Sequence, residues 1–99
     1  MNKDYIDCKI ESTLHTIGAR ISAERNHQNL TRDDLEELSG VSSDTIKRIE
    51  AGYIVKVDKF LRVIFALDVP VDMFFPCEVT SKEDMAKRIK RMIDELVEQ

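Results

Sequence analysis

The chain has 99 residues, of which 42% are apolar and 34% are charged, so it suits one domain with its own core and a short appendage. No run of about 18 apolar residues occurs, which excludes a membrane-spanning helix. The N-terminus lacks the continuous apolar stretch of a signal peptide. We therefore expect a cytoplasmic protein with no membrane partner. The formal net charge of −4 argues against tight nonspecific binding to a phosphate backbone, unless the charges are segregated by face.

Apolar residues that recur every three or four positions predict helix over the first quarter of the chain. Gly18 and the Ser12-Thr13 pair weaken the middle of this pattern, so one helix, or a short N-terminal helix followed by a second, fits it. The polar stretch 26–29 (NHQN) predicts the end of the helix, because Asn adopts the left-handed conformation that closes one. The apolar positions are Ile6, Ile10, Leu14, Ile17 and Ile21.

Two short helices joined by a tight turn are predicted next. Thr31 is a good N-cap with two carboxylates in the following turn, and this helix ends at Gly40, where a left-handed turn suits glycine. Ser42 is the N-cap of the second helix, and Gly52 ends it. This spacing is the helix-turn-helix pattern. The residues of the second helix that we expect to face inward are Ile46 and Ile49, with Ala51 as a further candidate.

A further helix is predicted to begin at Asp58, after a loop or short extended piece at 53–57. Pro70 suits the start of a short helix over 71–75, and Pro76 stops it. The helix after Asp58 is rich in apolar residues, and we expect it to be mostly buried. Its apolar residues are Phe60, Leu61, Ile64, Phe65 and Leu67.

The chain ends in a predicted amphipathic helix, 82–97, with Ser81 as its N-cap and a seam like that of a coiled coil. This helix either folds back on its own domain or pairs with a second copy. Pairing is favoured because the preceding domain already has a core, and the apolar stripe of the N-terminal helix is a candidate to pack against the same helix. The predicted dimer interface is Met85, Ile89, Met92, Ile93 and Leu96.

Residues 30–52 (LTRDDLEELSGVSSDTIKRIEAG) resemble the phage-repressor (Cro/cI-like, XRE-type) helix-turn-helix family, and the resemblance extends over about 16–76. It implies an all-α fold, a lambda-repressor-like five-helix DNA-binding domain at 16–76. An N-terminal helical extension at 1–15 and a C-terminal amphipathic helix at 81–99, as a dimerisation element, complete the expected organisation. The residues that carry the resemblance are Leu35, Gly40, Val41, Ser42, Thr45, Ile46, Ile49, Glu50 and Gly52.

The resemblance implies that the second helix of the motif, 43–51, enters the major groove of double-stranded DNA. Arg48 then has the geometry to donate two hydrogen bonds to guanine, and Asp44 to accept one from cytosine, although Asp44 equally suits a charge–dipole contact at the helix start. A solvated surface is the alternative for each of these positions. The expected base contacts are Ser43, Asp44, Lys47 and Arg48, and the expected phosphate contacts are Arg32, Thr45, Tyr53 and Lys56.

A structural ion pair between Arg25 and Glu50 is also implied by the resemblance, with two solvated charges as the alternative. The sequence departs from the family where Glu36 replaces a small residue between the two helices, so that its carboxylate must bend outward or find a donor. Asp68 stands where glycine is common. We expect the fold to tolerate these changes, and we expect their largest effect on the surface that contacts DNA.

No enzymatic, metal or cofactor motif occurs in the sequence. Cys8 and Cys77 belong to no CxxC pair, and no cluster of His residues lies beside them in the sequence. We therefore expect both cysteines to be reduced and to serve as packing residues. His15 and His27 have no catalytic partner at a motif spacing, and there is no P-loop or nucleophile elbow. We therefore expect no enzyme, no metal and no cofactor.

Two functions remain at this stage. The first is a sequence-specific transcriptional regulator, a dimeric repressor of a two-fold symmetric operator. The second is a protein-interaction or antitoxin-like module that keeps the same fold with weak or lost DNA binding, motivated by the acidic balance and by Glu36. The sequence identifies neither the operator nor a protein partner.

Overall fold

The computed structural model describes residues 3–76 together with residues 90, 91 and 93. Over 3–76 the chain forms four α-helices, and no strand occurs in this part. None of the described helices is both long and apolar enough to cross a membrane. The elements are α1 (Lys3–His27), α2 (Arg32–Ser39), α3 (Ser43–Glu50), α4 (Val57–Ala66) and a short 3-10 helix (Val71–Phe74).

α1 is one continuous helix of 25 residues, so the alternative of two shorter helices is wrong. It passes residues 15 and 16, the predicted domain boundary, without a break. The hydroxyl of Thr16 donates a hydrogen bond to the carbonyl of Ser12 one turn earlier, which keeps this polar stretch helical. As the NHQN sequence predicts, the helix closes through a left-handed residue, Asn29, with φ of 59°.

The starts of α2 and α3 follow the predicted caps. The hydroxyl of Thr31 accepts from the Asp34 N–H at 3.0 Å, and the Asp34 carboxylate accepts from the Thr31 N–H at 2.9 Å, which completes a capping box. These hydrogen bonds stabilise the ionised carboxylate and hold the pKa of Asp34 below its ordinary value. Gly40 ends α2 with φ of 76°, and Ser42 caps α3 by accepting from the Thr45 N–H.

The core lies where α1, α2, α3, α4 and the 3-10 helix meet. Phe65, one of the apolar residues of the stretch that was expected to be mostly buried, is 62% exposed. Ala51, the further candidate to face inward from the second helix of the motif, is also exposed. α4 begins at Val57, one residue earlier than predicted, and its helical register turns Val63 and Ile64 inward while Phe65 faces away. The buried apolar residues are Ile17, Ile21, Leu35, Val41, Ile46, Ile49, Val63, Ile64, Leu67 and Phe74.

Candidate nucleic-acid interface

α3 presents one polar face to solvent. Its opposite face carries Ile46 and Ile49, which are buried in the core. Asp44, Lys47 and Arg48 are exposed, and neither basic residue forms an ion pair with any residue that the structure describes. Because three charged side chains project from a helix that is packed along its other side, their positions relative to the domain are fixed by the core.

Gly18 sets the distance between α1 and α3. It is buried, and a Cβ added to it would lie 2.7 Å from the carbonyl oxygen of Glu50 and closer still to that of Ile49. The two backbones therefore approach more closely than any side chain would permit. From the sequence pattern, Gly18 is only a weak point of the helix, and this contact is not predicted. The available signal was a lone glycine inside a helical pattern, which often has a packing reason.

Glu36 joins α2 to the first turn of α3. Its Oε1 accepts a hydrogen bond from the backbone N–H of Ser43 at 2.7 Å. The N-terminal N–H groups of a helix have no partner within the helix and carry a partial positive charge, so a carboxylate is favourable there. Of the two outcomes expected for Glu36, the structure contains the second, in which it finds a donor. Glu36 thus helps to hold the angle between the two helices.

Arg25 and Glu50 form a largely buried ion pair between α1 and the end of α3. Arg25 Nε lies 2.7 Å from Glu50 Oε2, and Arg25 Nη2 donates to Glu50 Oε1 at 3.1 Å. The two side chains are only 10% and 4% exposed. Arg25 Nη1 also donates to the carbonyl of Leu30 at 2.8 Å, so the same guanidinium fixes the connection between α1 and α2.

Arg32 contacts the same carboxylate from the solvent side. Its Nη2 lies 3.2 Å from Glu50 Oε1, and its side chain is 43% exposed. One carboxylate between two guanidinium groups leaves this cluster with a net positive charge. A guanidinium has five N–H donors, so Arg32 keeps donors for a further acceptor while Glu50 orients it. The resemblance predicts a phosphate contact for Arg32, whereas its contact with Glu50 is not predicted from the sequence.

A polar cleft of about 610 Å³ lies between the connection from α1 to α2 and the N-terminal turn of α3. The structure brings four predicted contact residues to this cleft, while Arg48 lies outside its lining. Two amides also line the cleft, Asn26 in the last turn of α1 and Asn29 in the connection. The rest of the polar lining is Arg25, Thr31 and the carboxylate of Asp33. The four predicted contact residues in the cleft are Arg32, Ser43, Asp44 and Lys47.

The remaining predicted contacts lie in different surroundings. Thr45 is half-buried, and its hydroxyl accepts a hydrogen bond from Ser42 at 2.9 Å. Lys56 is exposed just before α4, and Tyr53 is exposed in the loop after α3, where it borders an apolar groove. Of the predicted dimer interface, Ile93 is described and exposed. The other predicted interface residues, which lie outside the described part of the chain, are Met85, Ile89, Met92 and Leu96.

Within the described residues, no group of three or more His, Cys, Asp or Glu side chains is placed to hold a metal ion. Cys8 is a free and exposed thiol on α1. The groups gathered around α3 are guanidinium, ammonium, hydroxyl and amide donors, together with the carboxylate acceptors of Asp33 and Asp44. This set suits hydrogen bonding to phosphate oxygens and base edges rather than metal coordination.

Residues 21–74, from the last two turns of α1 to the end of the 3-10 helix, match the family model described as helix-turn-helix (HTH_3). The match covers more than half of the chain, and the chain belongs to this family, the XRE type to which Cro-like and cI-like proteins belong. No curated protein and no solved structure matches the chain. The protein is thus a DNA-binding transcriptional regulator of the helix-turn-helix class.

Proposed function

We propose that the protein is a dimeric transcriptional repressor that reads a two-fold symmetric operator with α3 in the major groove. The observation that carries the proposal is the exposed charged face of α3, which is held in place from behind. The core, the contact at Gly18, the hydrogen bond from Ser43 to Glu36 and the ion pair of Arg25 with Glu50 all restrain this helix. A rigid helix of this kind meets the main structural requirement for reading base edges.

Each exposed residue of α3 has a role under this proposal. Arg48 donates two hydrogen bonds to guanine, and Lys47 donates to a guanine oxygen or nitrogen. Asp44 accepts from the amino group of cytosine, and Ser43, whose N–H is engaged by Glu36, contacts a base with its hydroxyl. Asp44 also repels phosphate, so it favours sequences that place a cytosine amino group against it.

Phosphate binding is assigned to the cleft beside α3. Arg32 is held by Glu50 with donors still facing solvent, and it lies at the start of α2, where the helix dipole attracts an anion. Lys56, Tyr53 and Thr45 extend the same role around α3. Because the chain as a whole carries a charge of −4, binding depends on this local group and not on a general basic surface.

Dimerisation follows from the operator that the proposal assumes. Two recognition helices reach successive major grooves when the half-sites lie about one helical turn, or roughly 34 Å, apart. The apolar seam of the segment 82–97 provides the contact between copies, and a two-fold axis makes the contact reciprocal.

A protein-interaction or antitoxin-like module is the second candidate. The negative net charge and an exposed apolar groove beside α1 favour it. Glu36 does not favour it, because the carboxylate is satisfied by the N–H of Ser43 instead of forcing the helices apart. The two candidates differ in whether the face of α3 binds DNA.

Replacing Arg48 tests the proposal. We expect Arg48→Ala to weaken binding to the selected duplex about tenfold or more, because one bidentate contact to a base contributes roughly 1–3 kcal/mol. The thermal midpoint should stay within about 2 °C of the wild type, since a surface substitution away from special contacts changes stability little. Titration of labelled duplex DNA measures the first quantity, and circular dichroism the second.

Arg62→Ala is the matched control, because Arg62 is an exposed arginine on α4 and its removal changes the net charge equally. We expect this variant to bind the duplex at nearly wild-type affinity. Equal weakening by both variants would mean that only net charge matters and that α3 is not the reading helix.

A further inference from the structure

An apolar groove of about 550 Å³ lies beside the N-terminal half of α1, on residues that the DNA-binding proposal does not use for base contacts. One wall is the apolar stripe of α1, and the other is the loop after α3 together with the start of α4. Ile54 is 81% exposed and Val57 is 71% exposed, so two large apolar side chains of one groove face solvent. The side chains that matter most here are Ile6, Ile10, Leu14, Ile54, Val57 and Phe75.

The groove is separate from the reading face. None of Asp44, Lys47 and Arg48 lines it, so DNA and a second ligand have room to bind at the same time. Tyr53, a proposed phosphate contact three residues after the end of α3, also borders the groove and is the residue that the two regions share. Occupation of the groove therefore leaves the base-reading side chains exposed.

We propose that this groove binds the segment 82–97 of a second copy of the chain. The inference rests on the proposed function, because it names the surface through which the proposed dimer forms. The segment carries apolar residues at alternating steps of four and three, and the α1 wall carries Ile6, Ile10 and Leu14 at steps of four. A helix over 82–97 would be about 24 Å long, enough to lie along the exposed part of α1 at 1.5 Å per residue.

The course of the chain supports the same occupant. Phe75 lines the groove, and the remaining residues 77–99 follow directly after Pro76. Only residues 76–81 lie between Phe75 in the groove lining and the start of the segment. Short connections favour exchange between copies over folding back. In a two-fold dimer each copy offers one groove and one segment, so reciprocal exchange fills both grooves and the assembly closes at two copies.

Cross-linking between two single-cysteine proteins tests the exchange. In a full-length chain with Cys8→Ser and Cys77→Ala, one protein carries Ile10→Cys in the groove and the other carries Ile89→Cys in the segment. After mixing and exchange, a short bismaleimide should join the two different proteins into a covalent dimer. A protein that retains only Cys8, which lies two residues from Ile10 and about 200° around the helix, should give at least fivefold less of this product.

The result that overturns the proposal is a link within one chain. If a protein with both Ile10→Cys and Ile89→Cys links internally and stays at monomer mass, the segment fills the groove of its own chain. If no link forms while sedimentation still detects dimers, the groove is not the interface. The proposed dimeric regulator then remains, but its two copies meet through another contact. Loss of DNA binding by a protein that cross-links as expected would overturn the proposed function alone.

A point substitution gives an independent readout. Ile10→Glu should raise the dimer dissociation constant at least tenfold in sedimentation, because it places a charge in an apolar contact. Cys8→Glu, on the opposite side of α1, should leave the dissociation constant within twofold of the wild type. An unchanged constant in Ile10→Glu would overturn the proposed interface.

Discussion

Replacing Arg25 with methionine is expected to lower the free energy of unfolding by about 3 kcal/mol, because removing one partner of a buried ion pair leaves the other charge uncompensated. Glu50 is 4% exposed, so water cannot take the place of the guanidinium. The carbonyl of Leu30 loses its donor in the same substitution. Arg32 keeps a contact with Glu50, which places the effect at the lower end of the range for buried pairs. Urea denaturation measures the change.

Two further variants separate the buried pair from the cluster around it. Arg25→Met combined with Glu50→Leu should recover most of the lost stability, because an apolar pair of similar size replaces a buried ion pair at little cost. Arg32→Met should cost less than about 1 kcal/mol, since a partly exposed ion pair contributes little. Wild-type stability in Arg25→Met would contradict a structural role for this pair.

Gly18→Ala is expected to destabilise the protein by about 2–3 kcal/mol, which is typical of overpacking at a close contact. Helix propensity alone predicts the opposite sign, because alanine is more favourable than glycine in a helix interior by about 1 kcal/mol. The added Cβ would meet backbone atoms of Ile49 and Glu50. Backbone atoms in a packed helix cannot relieve the contact by a change of rotamer, as a flexible side chain can. The thermal midpoint should therefore fall by roughly 10 °C or more.

Ala19→Ser is the control for this substitution, because the neighbouring residue is exposed and gains an atom without meeting α3. It should change the unfolding free energy by less than about 0.5 kcal/mol. If Gly18→Ala instead raised stability, the close approach of α1 and α3 would be wrong, and the position of the recognition helix with it.

Features set by neighbouring residues were predictable from the sequence. The capping box of Thr31 with Asp34, the left-handed turn at Gly40 and the cap at Ser42 each depend on a few consecutive positions. Asn29 closes α1 for the same local reason. Local backbone chemistry was sufficient for all of these.

Features set by distances between helices were not predictable in the same way. The sequence indicated that the Glu36 carboxylate must bend outward or find a hydrogen-bond donor, but not that the N–H of Ser43 is this donor. The second contact of Glu50, with Arg32, depends on how α2 lies against the end of α3. Phe65 belongs to an apolar stretch, yet the helical register turns it to solvent. Each of these requires the relative placement of elements, which periodicity does not supply.

Selection of bound sequences from a random duplex DNA pool, at about 50 and 200 mM salt, tests the central claim most directly. A sequence-specific reader should enrich a two-fold symmetric site, and its affinity should fall steeply as salt rises because phosphate contacts release counterions. Arg48→Ala should lose that enrichment. Absence of enrichment, together with absence of salt-sensitive binding even at the lower concentration, would contradict a DNA-reading role for α3.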